Sequence, residues 1–197
     1  QRVEAEPERS DIDSQMQRLD ITPHVTMGSN EVLIGITVTR ATDGLLDLVK
    51  IMGPFSLKAS GDSWRIAEPR QHLAPASWTD QGYPFYSGRG VWRRTFALPG
   101  TLEGRRVVLH PDIRDDVLEV VVNGKRAGVR LWAPYDLDIT DHVRPGENTL
   151  ELRVANTLIN LLEAVQRPSG LTGAPSVGVY DAFELDLPVA APAGGEA

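Results

Sequence analysis

The chain repeats part of itself. Leu19-Asp20-Ile21-Thr22-Pro23-His24-Val25, followed by Gly28 and Asn30, returns as Leu137-Asp138-Ile139-Thr140-Asp141-His142-Val143, followed by Gly146 and Asn148. The spacing is constant, since 137 − 19 and 148 − 30 both equal 118. After each Asn comes an alternating apolar run: Val32, Ile34 and Ile36 in the first copy, Leu150, Leu152 and Val154 in the second. Such alternation predicts a half-buried strand, so each copy reads as strand, turn, strand. A period this long is a domain and not a solenoid unit. Strand-like runs surround the second copy, whereas the first has only its own C-terminal part. The sequence therefore reads as a lead-in and the remnant of one β-domain over 1–53, a complete domain over 54–188, and a flexible tail over 189–197. The apolar face of residues 19–38 needs a partner, either the complete domain or another chain.

The complete unit is dense in strand signals. Phe55 to Ala59, Trp64 to Ile66, Arg106 to His110 and Ser176 to Leu187 read as strands. Val91 to Leu98 places Trp92, Arg94, Phe96 and Leu98 on one face, with Arg94 reaching a carboxylate at the sheet end. Leu118, Val120 and Val122 point inward on the next strand, and Tyr135, Leu137 and Ile139 share a face further on. Asn123-Gly124 predicts a hairpin, because both residues tolerate the positive φ of a type I′ turn. Leu158, Leu161, Leu162 and Val165 have helical spacing, which predicts one short helix over 157–166; residues 42–52 suggest at most another. Short strands with frequent turns and little helix predict an all-β fold, an antiparallel β-sandwich of jelly-roll type with one short helix, preceded by a partial second β-domain.

Charge and composition narrow the function. A net charge of −7 argues against nucleic acid or an anionic membrane as partner. No apolar run approaches transmembrane length. Position 1 is Gln and no signal-peptide pattern follows, which a processed or trimmed N-terminus would explain. Cysteine is absent, which removes disulfides, thiolate chemistry and zinc fingers. The four histidines, His24, His72, His110 and His142, show no metal-binding spacing, and two of them are repeat equivalents in a turn.

In order and spacing, four segments strongly resemble one family: Gly90-Val91-Trp92-Arg93-Arg94-Thr95-Phe96-Ala97-Leu98-Pro99, Glu119-Val120-Val121-Val122-Asn123-Gly124-Lys125, Ala133-Pro134-Tyr135-Asp136-Leu137-Asp138-Ile139-Thr140 and Pro145-Gly146-Glu147-Asn148-Thr149-Leu150. They resemble the galactose-binding-like, sugar-binding β-sandwich of glycoside hydrolase family 2. The accessory sandwiches of bacterial α-L-rhamnosidase-like enzymes are similar too, through Gln81-Gly82-Tyr83-Pro84-Phe85-Tyr86-Ser87-Gly88 and Pro168-Ser169-Gly170-Leu171. The resemblance covers about residues 54–187. It implies a non-catalytic accessory domain, with a separate catalytic domain of the parent enzyme as partner, carbohydrate as ligand, and a periplasmic or secreted setting. No cofactor follows from it, although related sandwiches often hold a structural calcium ion. The alternative is a purely structural or protein-interaction module that binds no sugar.

No catalytic residue is expected. Glycoside hydrolysis needs two carboxyl groups facing each other across the bond. Asp112, Asp115, Asp116, Glu119, Asp136 and Asp138 read instead as turn and strand-end residues, Asp138 most clearly because it recurs as Asp20. Carbohydrate recognition stacks aromatic faces on sugar C–H surfaces. The candidates for that role are Trp78, Tyr83, Tyr86, Trp132 and Tyr135, with Arg89 supplying a donor fork for paired oxygens. Trp92 and Phe96 are assigned to the core, and Trp64 to the core or to the contact with the first repeat.

Overall fold

Strand-forming runs dominate this chain, and the computed structural model is built from them. It describes residues 8–10, 12–13, 16–45 and 47–182. The expected tail over 189–197 and the end of the expected final strand, 183–187, lie outside the described residues. The chain divides into two units, Gln1–Val49 and Lys50–Ala197.

In the first unit, β1 (Glu8–Arg9) and β2 (Gln17–Arg18) form a two-residue antiparallel ladder, and a 3-10 turn follows at Thr22–His24. The expected strand after Asn30 is absent. Residues 31–39 carry no sheet pairing, and Val32, Ile34 and Ile36 are 59%, 51% and 46% exposed. The alternation is present, but a strand also needs neighbours to take its backbone hydrogen bonds and cover its apolar face. The expected helix over 42–52 is also absent among the described residues. The Asp43 carboxylate instead accepts the backbone N–H groups of Thr39 and Arg40, a turn that competes with helix formation.

Among the described residues the second unit contains nine strands: β3 (Ser56–Ser60), β4 (Ser63–Ala67), β5 (Arg89–Leu98), β6 (Arg105–His110), β7 (Val117–Val122), β8 (Lys125–Arg130), β9 (Leu137–Asp138), β10 (Gly146–Ala155) and β11 (Ser176–Asp181). β3 and β4 form a separate hairpin. One sheet has the order β5-β10-β7-β8, the other β11-β6-β9, and every pairing is antiparallel. Between the two sheets lies one apolar core, which makes the unit an antiparallel β-sandwich. Leu118, Val120 and Val122 of β7 meet Leu150, Leu152 and Val154 of β10 and Val107 and Leu109 of β6. Burial of each such side chain contributes about 1.5–3 kcal/mol.

The Asn123-Gly124 hairpin forms as expected, with φ of 51° and 77°. The Asn123 side chain does more than permit the turn. Its amide donates to the carbonyl of His142 and to Asn148 Oδ1, at 2.9 and 2.8 Å, and its oxygen accepts the Thr149 N–H at 3.0 Å. It thereby ties the hairpin to the second copy of the repeat.

Two local expectations are corrected here. The helix over 157–166 shrinks to a single turn, α1 (Ile159–Leu162), and Leu158 and Val165 stay 43% and 42% exposed. Its buried residue is polar: Asn160 donates to the carbonyls of Pro84 and Arg167, so hydrogen bonds and not an apolar stripe anchor the segment. Arg94 is exposed, and among the described residues it is the neighbouring Arg93 that meets a carboxylate, Glu151. Trp64, assigned to the core or to a contact, is 39% exposed and meets the Phe85 ring edge-on.

Candidate functional site

The outer faces of both sheets are occupied by ion pairs. On the four-stranded sheet, Arg93, Glu151, Arg153, Glu119 and Arg126 alternate in sign across all four strands. On the other, Arg106 pairs with Asp138, while His110 bonds both Asp136 and the Tyr180 hydroxyl. These exposed contacts each contribute little to stability. The less usual surface is the long aromatic loop between β4 and β5.

That loop is fastened from within. Ser77 starts a 3-10 turn at Trp78–Gln81, and its hydroxyl accepts the N–H groups of Thr79 and Ser169. The N–H of Trp78 donates to the Ser169 carbonyl, so this turn is sewn to the Pro168-Ser169-Gly170-Leu171 segment. Gln81 holds the start of the loop by bonding both the N–H and the carbonyl of Ala74. Asn156, just after β10, holds the end: its amide donates to the Tyr86 carbonyl and its oxygen accepts the Gly88 N–H. Of these polar anchors, Ser77 and Asn156 do not stand out in the sequence, because Ser and Asn are common in loops.

The anchoring turns Trp78 inward. Its ring is 1% exposed, stacked on Trp92 at 5.9 Å and met edge-on by Tyr86 at 5.6 Å. Gly90 and Gly170 make the space. A Cβ at Gly90 would lie 2.8 Å from both indoles, and one at Gly170 only 2.6 Å from Trp78, well inside the optimal carbon separation of about 3.5–4.0 Å. Trp78 is therefore a core residue, which corrects its assignment as a stacking platform. Tyr135 is corrected likewise: it is 8% exposed, and its hydroxyl donates to the Asp116 carbonyl at 2.7 Å.

Tyr83, Tyr86 and Arg89 remain together at the surface. Tyr83 and Tyr86 meet edge to face at 6.3 Å. The Tyr83 hydroxyl accepts the Arg70 N–H, and the Tyr86 hydroxyl bonds the backbone of Arg89. An open groove of about 770 Å³ runs beside them, floored by Trp78 and Trp92 and walled by Phe55, Tyr83, Tyr86, Arg93 and residues 69–73. Arg70, Gln71 and His72 bring polar groups to this groove; the sequence alone does not show their proximity to Tyr83, because the intervening turns hide it. Trp132 lies elsewhere, 72% exposed beside the 56% exposed Leu131 on the β8–β9 connection. The six candidates thus split: Trp78, Tyr83, Tyr86 and Arg89 share one neighbourhood, and Trp132 and Tyr135 belong to another loop.

One carboxyl is unusual. Asp116 is 4% exposed, and burial pushes its pKa up to about 6 against the opposing pull of the Gly170 N–H, which it accepts at 2.7 Å. A raised carboxyl is what a general acid requires, but this one is enclosed and fixed to backbone, clamping the 167–171 segment onto β7. Its neighbour Asp115 pairs with Arg167 at 2.9 Å. Among the described residues no group of three or more His, Asp or Glu side chains is placed to hold a metal ion.

No family model matches the chain. It is 28% identical over 147 residues to a Formosa agariphila protein named "Putative beta-glucuronidase", a match covering 72% of this chain and 13% of that protein. Among solved structures it is similar to a rhamnosidase from Novosphingobium sp. PP1Y, with 28% identity and a TM-score of 0.43 over 72% of this chain and 16% of that one. A β-glucuronidase from Bifidobacterium dentium is similar at 20% identity and a TM-score of 0.45, over 59% of this chain and 26% of that one. The relatives are glycoside hydrolases, and the chain spans a small part of each.

Proposed function

We propose that this chain is a non-catalytic accessory β-sandwich of a larger bacterial glycoside hydrolase, that it packs with the parent's catalytic domain, and that its groove beside β5 binds carbohydrate. The observation that carries the first part is the 147-residue match that covers only 13% of the Formosa agariphila protein. Support for sugar binding comes from the groove itself. The 43% exposed Tyr86 offers an aromatic surface, while Arg70, Gln71, His72 and Arg93 offer hydrogen-bond partners for hydroxyl or carboxylate groups. A calorimetric or NMR screen against rhamnose, galactose, galacturonic acid, glucuronic acid and their oligomers tests it. Binding is expected in the millimolar to micromolar range, about −4 to −8 kcal/mol. Tyr86→Ala is expected to weaken it at least about tenfold, or 1.4 kcal/mol, with no product released. Release of product by the purified chain would refute the non-catalytic reading.

A second reading is a structural module that binds no sugar. The burial of Trp78 and Tyr135 favours it, since two of the expected platforms are spent on the core. No response from any sugar at millimolar concentration would leave this reading in place.

A further inference from the structure

We propose that residues 30–38 are the central strand of a second β-sandwich, whose flanking strands are supplied by the same polypeptide ahead of residue 1. This goes beyond the accessory role above and does not depend on sugar binding.

The repeat is structural as well as sequential. Asn30 Oδ1 accepts the N–H of Thr26, and its amide donates to the carbonyls of Thr26 and Gly28. Asn148 does the same with Arg144 and Gly146, at positions 118 further on. The Asp20 carboxylate accepts the Thr22 N–H as the Asp138 carboxylate accepts that of Thr140. Both copies form a three-residue 3-10 turn, Thr22–His24 and Thr140–His142, closed by N–H to carbonyl bonds of 2.9 Å. Gly28 and Gly146 both adopt positive φ, 101° and 82°.

The copies part after the Asn. Leu150, Leu152 and Val154 are buried because β10 lies between β5 and β7. Val32, Ile34 and Ile36 hold the same register positions and are exposed. A turn built to launch a central strand, with inward-pointing positions already apolar, specifies two antiparallel neighbours and a covering sheet. By the 118-residue offset, residues 1–18 do not carry the sequence of those neighbours. Arg2 and Glu4 stand where the offset would put the inward-facing Val120 and Val122, and the counterpart of β5, which ends at Leu98, would fall ahead of residue 1. Ser29 and Glu31, like Glu147 and Thr149 beside Asn148, are polar on the alternate face.

Hydrogen exchange on the full gene product and on the 197-residue chain decides the matter. The amides of 31–37 are expected to exchange at least ~100-fold more slowly in the full product than in the shorter chain, as for strands inside a sheet. In the full product, Ile34→Asp should abolish that protection and Leu33→Asp should leave it, since position 33 corresponds to the outward-facing Glu151. Equal exchange in the two proteins would overturn the proposal, as would equal effects of the two substitutions. Protection already present in the 197-residue chain would overturn it too, assigning the face to this chain's own second unit or, if concentration-dependent, to a second copy. A gene product with no strand-forming residues ahead of Gln1 would do the same.

Discussion

The two copies of the repeat, residues 19–38 and 137–156, contain the same turn in two surroundings. Ile139, Asn148 and Leu152 are at most 1% exposed, whereas Asn30 and Ile34 stand open. The local hydrogen bonds are nonetheless the same. Side-chain capping of a turn is written in a few adjacent residues and needs no tertiary support. Sheet membership is not local. It is conferred by neighbouring strands, so an identical alternation becomes β10 in one place and unpaired backbone in the other.

Paired substitutions can break or sharpen this contrast. The largest difference is expected from Leu152→Ala against Ile34→Ala. The first empties a core site and should cost about 2–5 kcal/mol; the second, on an exposed face, should stay within about 0.5 kcal/mol. Denaturant midpoints measure both, and similar losses would mean that residues 31–38 are packed in this chain after all. Next comes Asn148→Ala against Asn30→Ala. Asn148 is 1% exposed and exchanges bonds with Arg144, Gly146 and Asn123, so its loss should cost about 2–3 kcal/mol by orphaning buried partners. The loss of Asn30 should loosen residues 26–30 in hydrogen exchange without shifting the main melting transition.

The smallest difference is in acid. Bonds from the Thr140 hydroxyl and N–H, with Arg106 adding its charge, lower the Asp138 pKa to about 2. Bonds from Thr22 lower that of Asp20, which is fully exposed. Because the folded pKa of Asp138 lies below its ordinary value of 3.8, its stabilisation is present above that value and is lost as pH falls towards 2. Its side chain is 40% exposed, and solvent screening reduces the effect to about 1 kcal/mol. NMR titration should show both carboxyls ionising below the usual range, and only Asp138 should couple to the melting temperature.

The sandwich was legible in the sequence where pattern and partner coincided. Leu118, Val120 and Val122 alternate, Asn123-Gly124 turns the chain, and Leu150, Leu152 and Val154 alternate in return, so each run finds the next. Residues 31–38 carry the same signal and misled, because periodicity reports which face is apolar and not what covers it. The segment at 157–166 misled for another reason: its leucines are spaced for a helix, but the hydrogen bonds of Asn160 set its path. At the candidate site, an aromatic loop reads alike whether its rings face solvent or core. Gly90 and Gly170 were the available clue, and their meaning appears only once Trp78 and Trp92 are seen packed against them.

Trp78 belongs to both the core and the groove, and this divides the groove into two kinds of surface. The floor is inherited from the fold, since any change to that indole, or to the glycines beneath it, is tested first by whether the domain still assembles. The exposed residues 69–72 carry no such burden. A lineage of these domains would therefore vary along one rim while the floor stayed constant, much as a lock keeps its cylinder when its pins are changed.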